Sequence, residues 1–241
     1  MKYTGLWVGG LCLLCACSSP QKAPIDYVDP FIGTGFHGHT YPGATAPFGA
    51  VQLSPDTRRG NWDASSGYHY SDSTILGFSH THLSGTGCQD LGDVLLRPTT
   101  QPVRTEGEGD IFLPAAFSHD SEKASPGYYA VTLADEQIKV ELAATTFAGM
   151  HRYSYLNDKD ASVIVDLTHI LNTDDFIYEA EVKQTADNEV VGMRRTRSWV
   201  DNQYIYFVLQ FSKPIQELQQ INEKQAVARF GQERELIAKV G

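Results

Sequence analysis

Three runs in the first hundred residues gather the side chains able to do chemistry. The first is Gly33-Thr34-Gly35-Phe36-His37-Gly38-His39-Thr40-Tyr41-Pro42-Gly43-Ala44. It sets two histidines among glycines, which permit tight turns and close approach of backbone to a ligand. Histidines in a packed loop also serve to bond backbone carbonyls, and both readings stay open. The second run is Asn61-Trp62-Asp63, ahead of Ser66-Gly67-Tyr68-His69-Tyr70. An indole beside a carboxylate suits a sugar: the ring packs on the C–H face of a pyranose, and the carboxylate accepts from its hydroxyls. The alternative is a core tryptophan. The third run, Gly77 to Asp93, holds His80 and His82, which strand alternation puts on one face.

With His37, His39 and Cys88, these histidines could be read as a transition-metal site, but the spacing matches no standard zinc framework. No metal ligand is assigned. There is no G-x-S-x-G elbow, P-loop or H-E-x-x-H. Gly33 and Gly35 do not follow a strand and open a helix, so they are no dinucleotide fingerprint. A glycosidase needs two carboxylates at a set separation. Asp56, Asp63, Asp72, Asp90 and Asp93 are available, but context singles out none as a general acid, and no catalytic residue is assigned.

The elements that must position these residues read as strands. Up to about Thr100 they are short, at Gly49–Leu53, Thr74–His80 and Asp93–Arg97, joined by long loops of the kind that carry function. From Gly127 onward, period-two alternation predicts strands near 128–133, 138–142, 150–155, 162–167, 177–182, 189–197, 204–211, 226–230 and 236–240. Helical turns are predicted only near Ile215 to Glu223. The predicted class is all-β: a large antiparallel β-sandwich, supersandwich-like, with long functional loops and little helix.

The bulk properties narrow the partners. Of 241 residues, 41% are hydrophobic, enough for a real core. The charge is 19 − 29 = −10 with His neutral, and the basic residues are scattered. Nucleic-acid binding, which needs a concentrated basic face, is excluded. An acidic surface suits a neutral ligand or a cation.

Residues 1–17 read as a signal peptide. Gly5 to Ala16 is apolar but shorter than the roughly 20 residues that span a bilayer. Leu14-Cys15-Ala16-Cys17 resembles a bacterial lipobox, which implies lipidation of Cys17; an ordinary cut near Ala16 is the alternative. Residues 18–25 form a tether, and 26–241 one domain. The expected location is the bacterial outer membrane, reached by export and held by the lipid, facing periplasm or cell surface. Ser18 supports this, since inner-membrane retention signals use Asp there. Cys12 and Cys15 leave with the signal and Cys17 takes lipid, so Cys88 is the remaining thiol and an intramolecular disulfide framework is excluded.

Several ordered runs together resemble the N-terminal domain of glycoside hydrolase family 92. They are Tyr27-Val28-Asp29-Pro30-Phe31-Ile32-Gly33-Thr34-Gly35, Gly38 to Ala44, Pro47 to Asp56, Ser66-Gly67-Tyr68-His69-Tyr70 and Gly77 to Cys88. The resemblance implies an exo-acting, inverting, calcium-dependent α-mannosidase that trims mannose from N-glycans and related α-mannosides. It also implies a fold of two parts, a sandwich followed by a toroid of paired helices. The family's acid (a Glu), its base (an Asp) and its calcium ligands belong to the helical part, so the calcium ligands are expected outside this chain.

The sandwich contributes loops that wall the pocket. By position, Trp62 and Asp63 are implied as pocket residues. His37, Gly38 and His39 are implied as the loop that approaches the terminal sugar, and His80 and His82 as further carbohydrate-binding residues or braces. Ala64-Ser65 departs from the Gly-Cys expected after the Trp-Asp pair. Leu236 to Gly241 reads as a strand still in progress, without the helical part. Three expectations follow: an N-terminal half, truncated at its C-terminal edge and inactive alone; a stand-alone carbohydrate-binding lipoprotein; or a structural half that pairs with a separate catalytic chain. A face that docks on helices should be apolar and exposed.

Overall fold

The computed structural model describes residues 22–104 and 111–241. The signal peptide and Cys17 lie outside the described residues.

The strands, in chain order, are β1 (Ala44–Thr45), β2 (Gln52–Asp56), β3 (Thr74–Ile75), β4 (Gly77–Ser79), β5 (Leu95–Thr99), β6 (Ala115–Ala116), β7 (Lys123–Ser125), β8 (Tyr128–Leu133) and β9 (Ile138–Ala144). They continue as β10 (Gly149–Tyr155), β11 (Ala161–Asp166), β12 (Phe176–Ala186), β13 (Glu189–Arg197), β14 (Gln203–Phe211), β15 (Glu217–Asn222), β16 (Gln225–Gly231) and β17 (Glu235–Val240). Helix is confined, among the described residues, to three short 3₁₀ turns at Pro24–Tyr27, Trp62–Ala64 and His119–Ser121. The predicted all-β antiparallel sandwich is what forms.

One sheet has seven strands, in the order β1-β2-β4-β5-β11-β16-β15. The other has eight, in the order β12-β13-β14-β17-β10-β9-β8-β7, and β3 pairs with β6 in a small separate ladder. Alternation decides which face of the eight-stranded sheet turns inward. His151, Tyr153 and Tyr155 of β10 are buried, as are Phe207, Leu209 and Phe211 of β14. Between them, Met150, Tyr204, Tyr206 and Val208 point outward and stay exposed. The inward side chains interlock with Leu53, Phe78, Leu96, Val163, Val165 and Phe230 of the seven-stranded sheet in one core. That second sheet is covered on its far side too. Ile164 and Val227 pack there with Ile111, and Val103, Phe112 and Ile221 join them. Strand β11 is therefore buried at every residue and shows no alternation.

The exposed outer stripe of Tyr204, Tyr206 and Val208 borders a groove of about 370 Å³, whose walls include Val191, Met193 and Phe207. An apolar, exposed sheet face is thus present. The outermost strands are poor templates for further pairing. Strand β1 has two residues and β7 three. Strand β12, with eleven residues, breaks register between Ile177 and Glu179 and again between Gln184 and Ala186. Strand β15 shifts between Gln220 and Asn222.

One prediction is overturned. The segment near Ile215 to Glu223 is not helical; Glu217–Asn222 is the edge strand β15, paired with β16. Its Glu and Gln residues favour helix in isolation. Pairing with β16 wins because it lets Leu218 pack on the main core and Ile221 on the second cluster.

Candidate functional site

The long loops gather at one end of the sandwich, and hydrogen bonds tie them together. Gly60 donates to Leu171 O at 2.8 Å, joining the Trp62 loop to the segment after β11. Arg194 Nη1 donates to His169 O at 2.6 Å, and Gln203 Nε2 to Asp93 Oδ2 at 2.8 Å, which joins the β13–β14 hairpin to the segment after β11 and to the loop before β5.

Trp62 and Asp63 begin a 3₁₀ turn capped by Asn61. The Asn61 Oδ1 accepts from Asp63 N at 3.0 Å and Ala64 N at 3.3 Å, satisfying donors at the start of the turn. The cap points the indole outward, and Trp62 is 56% exposed. It is not a core tryptophan. His39 meets it edge-on, with ring centroids 4.3 Å apart and an interplanar angle of 76°. The His37 ring lies 5.1 Å from the indole. His37 Nδ1 is 2.5 Å from Asp63 Oδ1, a charge-assisted contact that fixes both side chains. The structure therefore brings His37, Gly38, His39, Trp62 and Asp63 together, with His39 itself buried.

Backbone geometry explains the glycines. Phe36 and His39 both adopt positive φ, 53° and 57°, in a turn closed by Thr40 N donating to Gly33 O at 3.2 Å. A Cβ on Gly38 would fall 2.0 Å from Gly33 O. Gly38→Ala must rebuild the turn, at an expected cost of about 1–3 kcal/mol. Thermal unfolding of the variant checks this, and a change within experimental error would mean that the turn yields freely.

His80 and His82 are placed elsewhere, each more than nine-tenths buried. They do not share one pocket-facing side. His82 turns its ring nitrogens to Gln52 O at 2.7 Å and Asp56 Oδ1 at 2.8 Å. His80 faces Val94 O at 2.6 Å and the His151 Nε2 at 3.0 Å. Alternation does not apply to them, because β4 ends at Ser79 and both lie in the loop that follows. Their geometry is that of braces.

Asp56, Asp63, Asp72 and Asp93 each have partners. Asp56 is fully buried, with His169 Nε2 at 2.9 Å from Oδ2 but off the hydrogen-bond axis. Burial would raise its carboxyl, yet His82 and His169 outweigh burial and hold it well below the usual carboxylate range. Asp72 receives Arg58 Nε at 2.9 and 2.8 Å. Asp93 accepts from Thr81 Oγ1 at 2.8 Å and lies 3.3 Å from Arg194 Nε. No three His, Cys, Asp or Glu side chains among the described residues are grouped to hold a metal. With Asp56, Asp63, Asp72 and Asp93 paired in this way, the donor set among the described residues does not fit calcium, which prefers a cage of several free oxygens.

Sequence reading missed two participants. Gly87, at φ 65°, sits so close that a Cβ would lie 3.0 Å from His39 Nδ1 and 3.5 Å from Trp62 Nε1. Its place in the Gly85-Thr86-Gly87 run was the available signal. His169 had none, since its contact with Asp56 spans more than a hundred residues.

Fold and loops together define an antiparallel sandwich module whose long loops bring His37, His39, Trp62 and Asp63 together. The family model for the glycosyl hydrolase family 92 N-terminal domain matches residues 27–239. The chain belongs to glycosyl hydrolase family 92, through that N-terminal domain. It is 34% identical to a family GH92 alpha-mannosidase from Bacteroides thetaiotaomicron solved with mannoimidazole, at a TM-score of 0.81, over 90% of this chain and 32% of that one. A GH92 family glycosyl hydrolase named ccman5 is 28% identical at a TM-score of 0.76, over 90% of this chain and 32% of that one. An uncharacterized secreted glycosidase of Arthroderma benhamiae is 29% identical over 189 residues, 70% of this chain and 23% of its own length. The chain thus spans about a third of the solved relatives and about a quarter of the curated one.

Proposed function

We propose that the rim around Trp62 is one wall of a pocket for a terminal mannose, in an α-mannosidase-like glycosidase of family 92. The observation that carries this reading is the exposed indole, flanked by His39 and by the His37–Asp63 pair on a capped turn. The indole offers an apolar face to the C–H side of a pyranose, and the His37–Asp63 pair offers polar atoms to its hydroxyls. The mannoimidazole complex of the solved relative supports a mannoside ligand. Hydrolysis of α-mannosides, N-glycan mannose among them, belongs in this proposal to the whole protein. The acid, base and calcium would come from parts that correspond to the rest of the relatives. Export on a lipid attached to Cys17, toward the outer membrane, is part of the same proposal; a relative described as secreted supports the export.

Calorimetry of the purified chain with mannose and with α-mannobiose tests the wall. One wall buries only part of a sugar, so the expected affinity is weak, in the millimolar range. Trp62→Ala should reduce it about tenfold or more. Absence of heat from the unaltered chain at saturating sugar would overturn the proposal. Turnover of α-mannosides by the isolated chain with calcium would show instead that it carries the chemistry itself.

A further inference from the structure

Tyr70 stands where the loop that carries His37 meets the rest of the domain. Its backbone N donates to Thr34 O at 2.9 Å. Its ring meets Phe31 edge-on, with centroids 5.9 Å apart and an interplanar angle of 72°. A Cβ on Gly35 would lie 3.7 Å from the Tyr70 Cβ. The neighbouring His69 donates from Nε2 to Phe36 O at 3.2 Å. Phe31, Thr34, Gly35 and Phe36 thus hang on two consecutive residues, and His37 follows directly. Yet Tyr70 is 45% exposed, and a ring so open to solvent holds a loop only if its own position is fixed.

His119 fixes it. The two rings stack, 4.1 Å between centroids and 16° between planes. His119 opens the 3₁₀ turn His119–Ser121, capped by Ser118, whose Oγ accepts from Asp120 N at 3.2 Å. Phe117 meets the imidazole edge-on at 5.2 Å. Phe117 N donates to Ser73 O at 3.0 Å, and β6 pairs with β3, so this turn is tied to the chain just beyond Tyr70. His119 Nδ1 is hydrogen-bonded to Glu122 Oε2. Glu122 also accepts from Tyr68 OH, at 3.0 Å to each oxygen, and from Tyr129 OH at 2.5 Å. Glu122 and both phenols are buried. A carboxylate whose bonds are all made inside the domain is a fixed point. The imidazole takes its orientation from it, and the Tyr70 ring takes its own from the imidazole.

We infer that His119 is a positioning residue: held by Glu122 and stacked on Tyr70, it sets the loop that brings His37 to Asp63 and Trp62. This rests on the reading of the Trp62 wall as a sugar site. A loop held in place before the sugar arrives loses little conformational freedom on binding. The His119 side chain is itself 31% exposed, so its packing contributes little to global stability. Affinity and stability should therefore separate when it is replaced.

His119→Ala and His119→Phe test this. Phenylalanine keeps a ring for Tyr70 to stack on and gives up the bond to Glu122. In His119→Ala, mannose affinity measured by calorimetry should fall about three- to tenfold, the share of one aromatic pair. The NMR resonances of the His37 ring should move with it, while thermal unfolding changes little. His119→Phe should restore most of the affinity and the original resonances. An unaltered mannose affinity in His119→Ala would overturn the proposal, and so would a general loss of folding in that variant, which would make His119 a plain structural residue. A loss that His119→Phe does not restore would overturn the stack as the link. If the unaltered chain binds no mannose, the sugar reading falls by itself. The His37 resonances then decide the positioning role alone: displaced in His119→Ala and restored in His119→Phe they support it, and unmoved they overturn it.

Discussion

Asp56→Ala is expected to destabilise the domain by about 3–5 kcal/mol, as breaking a buried charge pair from one side commonly does. The carboxylate is inaccessible to solvent and stands between His82 and His169, from distant parts of the chain. Its removal leaves His82 Nε2 with the Ser79 hydroxyl alone and His169 Nε2 buried beside a cavity. The effect extends to the rim. Gly67 packs so closely on Asp56 that a Cβ there would sit 2.1 Å from Oδ1, and Gly67 O in turn receives Thr57 N at 2.7 Å. The loop from Thr57 to Gly67, with Trp62 at its crest, is thus pinned at its base by this carboxylate. Urea unfolding measures the cost, and a loss under about 1 kcal/mol would contradict a role for the pair in stability. The contribution is present above the ordinary carboxylate value of 3.8 and is lost as pH falls through the lowered value.

A second large effect is expected at milder acidity. A relay crosses the core: Tyr153 OH to His151 Nδ1 at 2.9 Å, His151 Nε2 to His80 Nε2 at 3.0 Å, and His80 Nδ1 to Val94 O at 2.6 Å. The carbonyl can only accept, so His80 carries its proton on Nδ1 and its Nε2 must accept from His151. His151 Nδ1 is then free to accept from the tyrosine. With both rings neutral every link is made in this direction; a proton added to His80 Nε2 reverses it, so that His151 must carry its proton on Nδ1 and Tyr153 must accept, and a second proton sets two N–H groups against each other.

Burial, the largest influence, pushes His80 down to about 4. Burial and then the His80 ring push His151 well below the usual histidine range. Both folded-state values lie below the ordinary 6.5, so the unfolded chain takes up protons first. Stability is therefore full above pH 6.5 and falls between 6.5 and about 4, by a few kcal/mol from His80 alone. Urea midpoints from pH 8 to pH 4.5 check the slope. His151→Phe, which removes one titrating ring, should flatten it. A midpoint independent of pH over that range would rule out the relay as a source of stability.

Much of the fold was legible because alternation is a local signal. Met150 to Tyr155 and Tyr204 to Phe211 show it plainly, and each forms one strand of the eight-stranded sheet. Strand β15 was not legible, because its partner rather than its composition makes it a strand. Pro55 and Pro98 hid the true extents of β2 and β5, since a residue without an N–H argues against a strand interior. In the site, the resemblance carried His37, Gly38, His39, Trp62 and Asp63 over by position, and the two histidines do lie against the Trp62–Asp63 pair. The functions of His80, His82 and Asp56 could not be read, because a histidine that braces and one that faces a ligand have the same letter. Only the partners tell them apart, and these come from β2, the segment after β11, and β10.

The broken register of β12 and the brevity of β1 and β7 bear on how copies of this chain meet one another. Growth of a cross-β assembly starts where a long, flat strand offers an unbroken row of amides to an identical neighbour. Here two outermost strands are too short to template anything. The longest one twists out of line twice and carries Glu179, Glu181 and Lys183 along its length. The shift in β15 interrupts the fourth. Among the described residues, seventeen strands thereby present no straight seam along which the domain could crystallise onto itself.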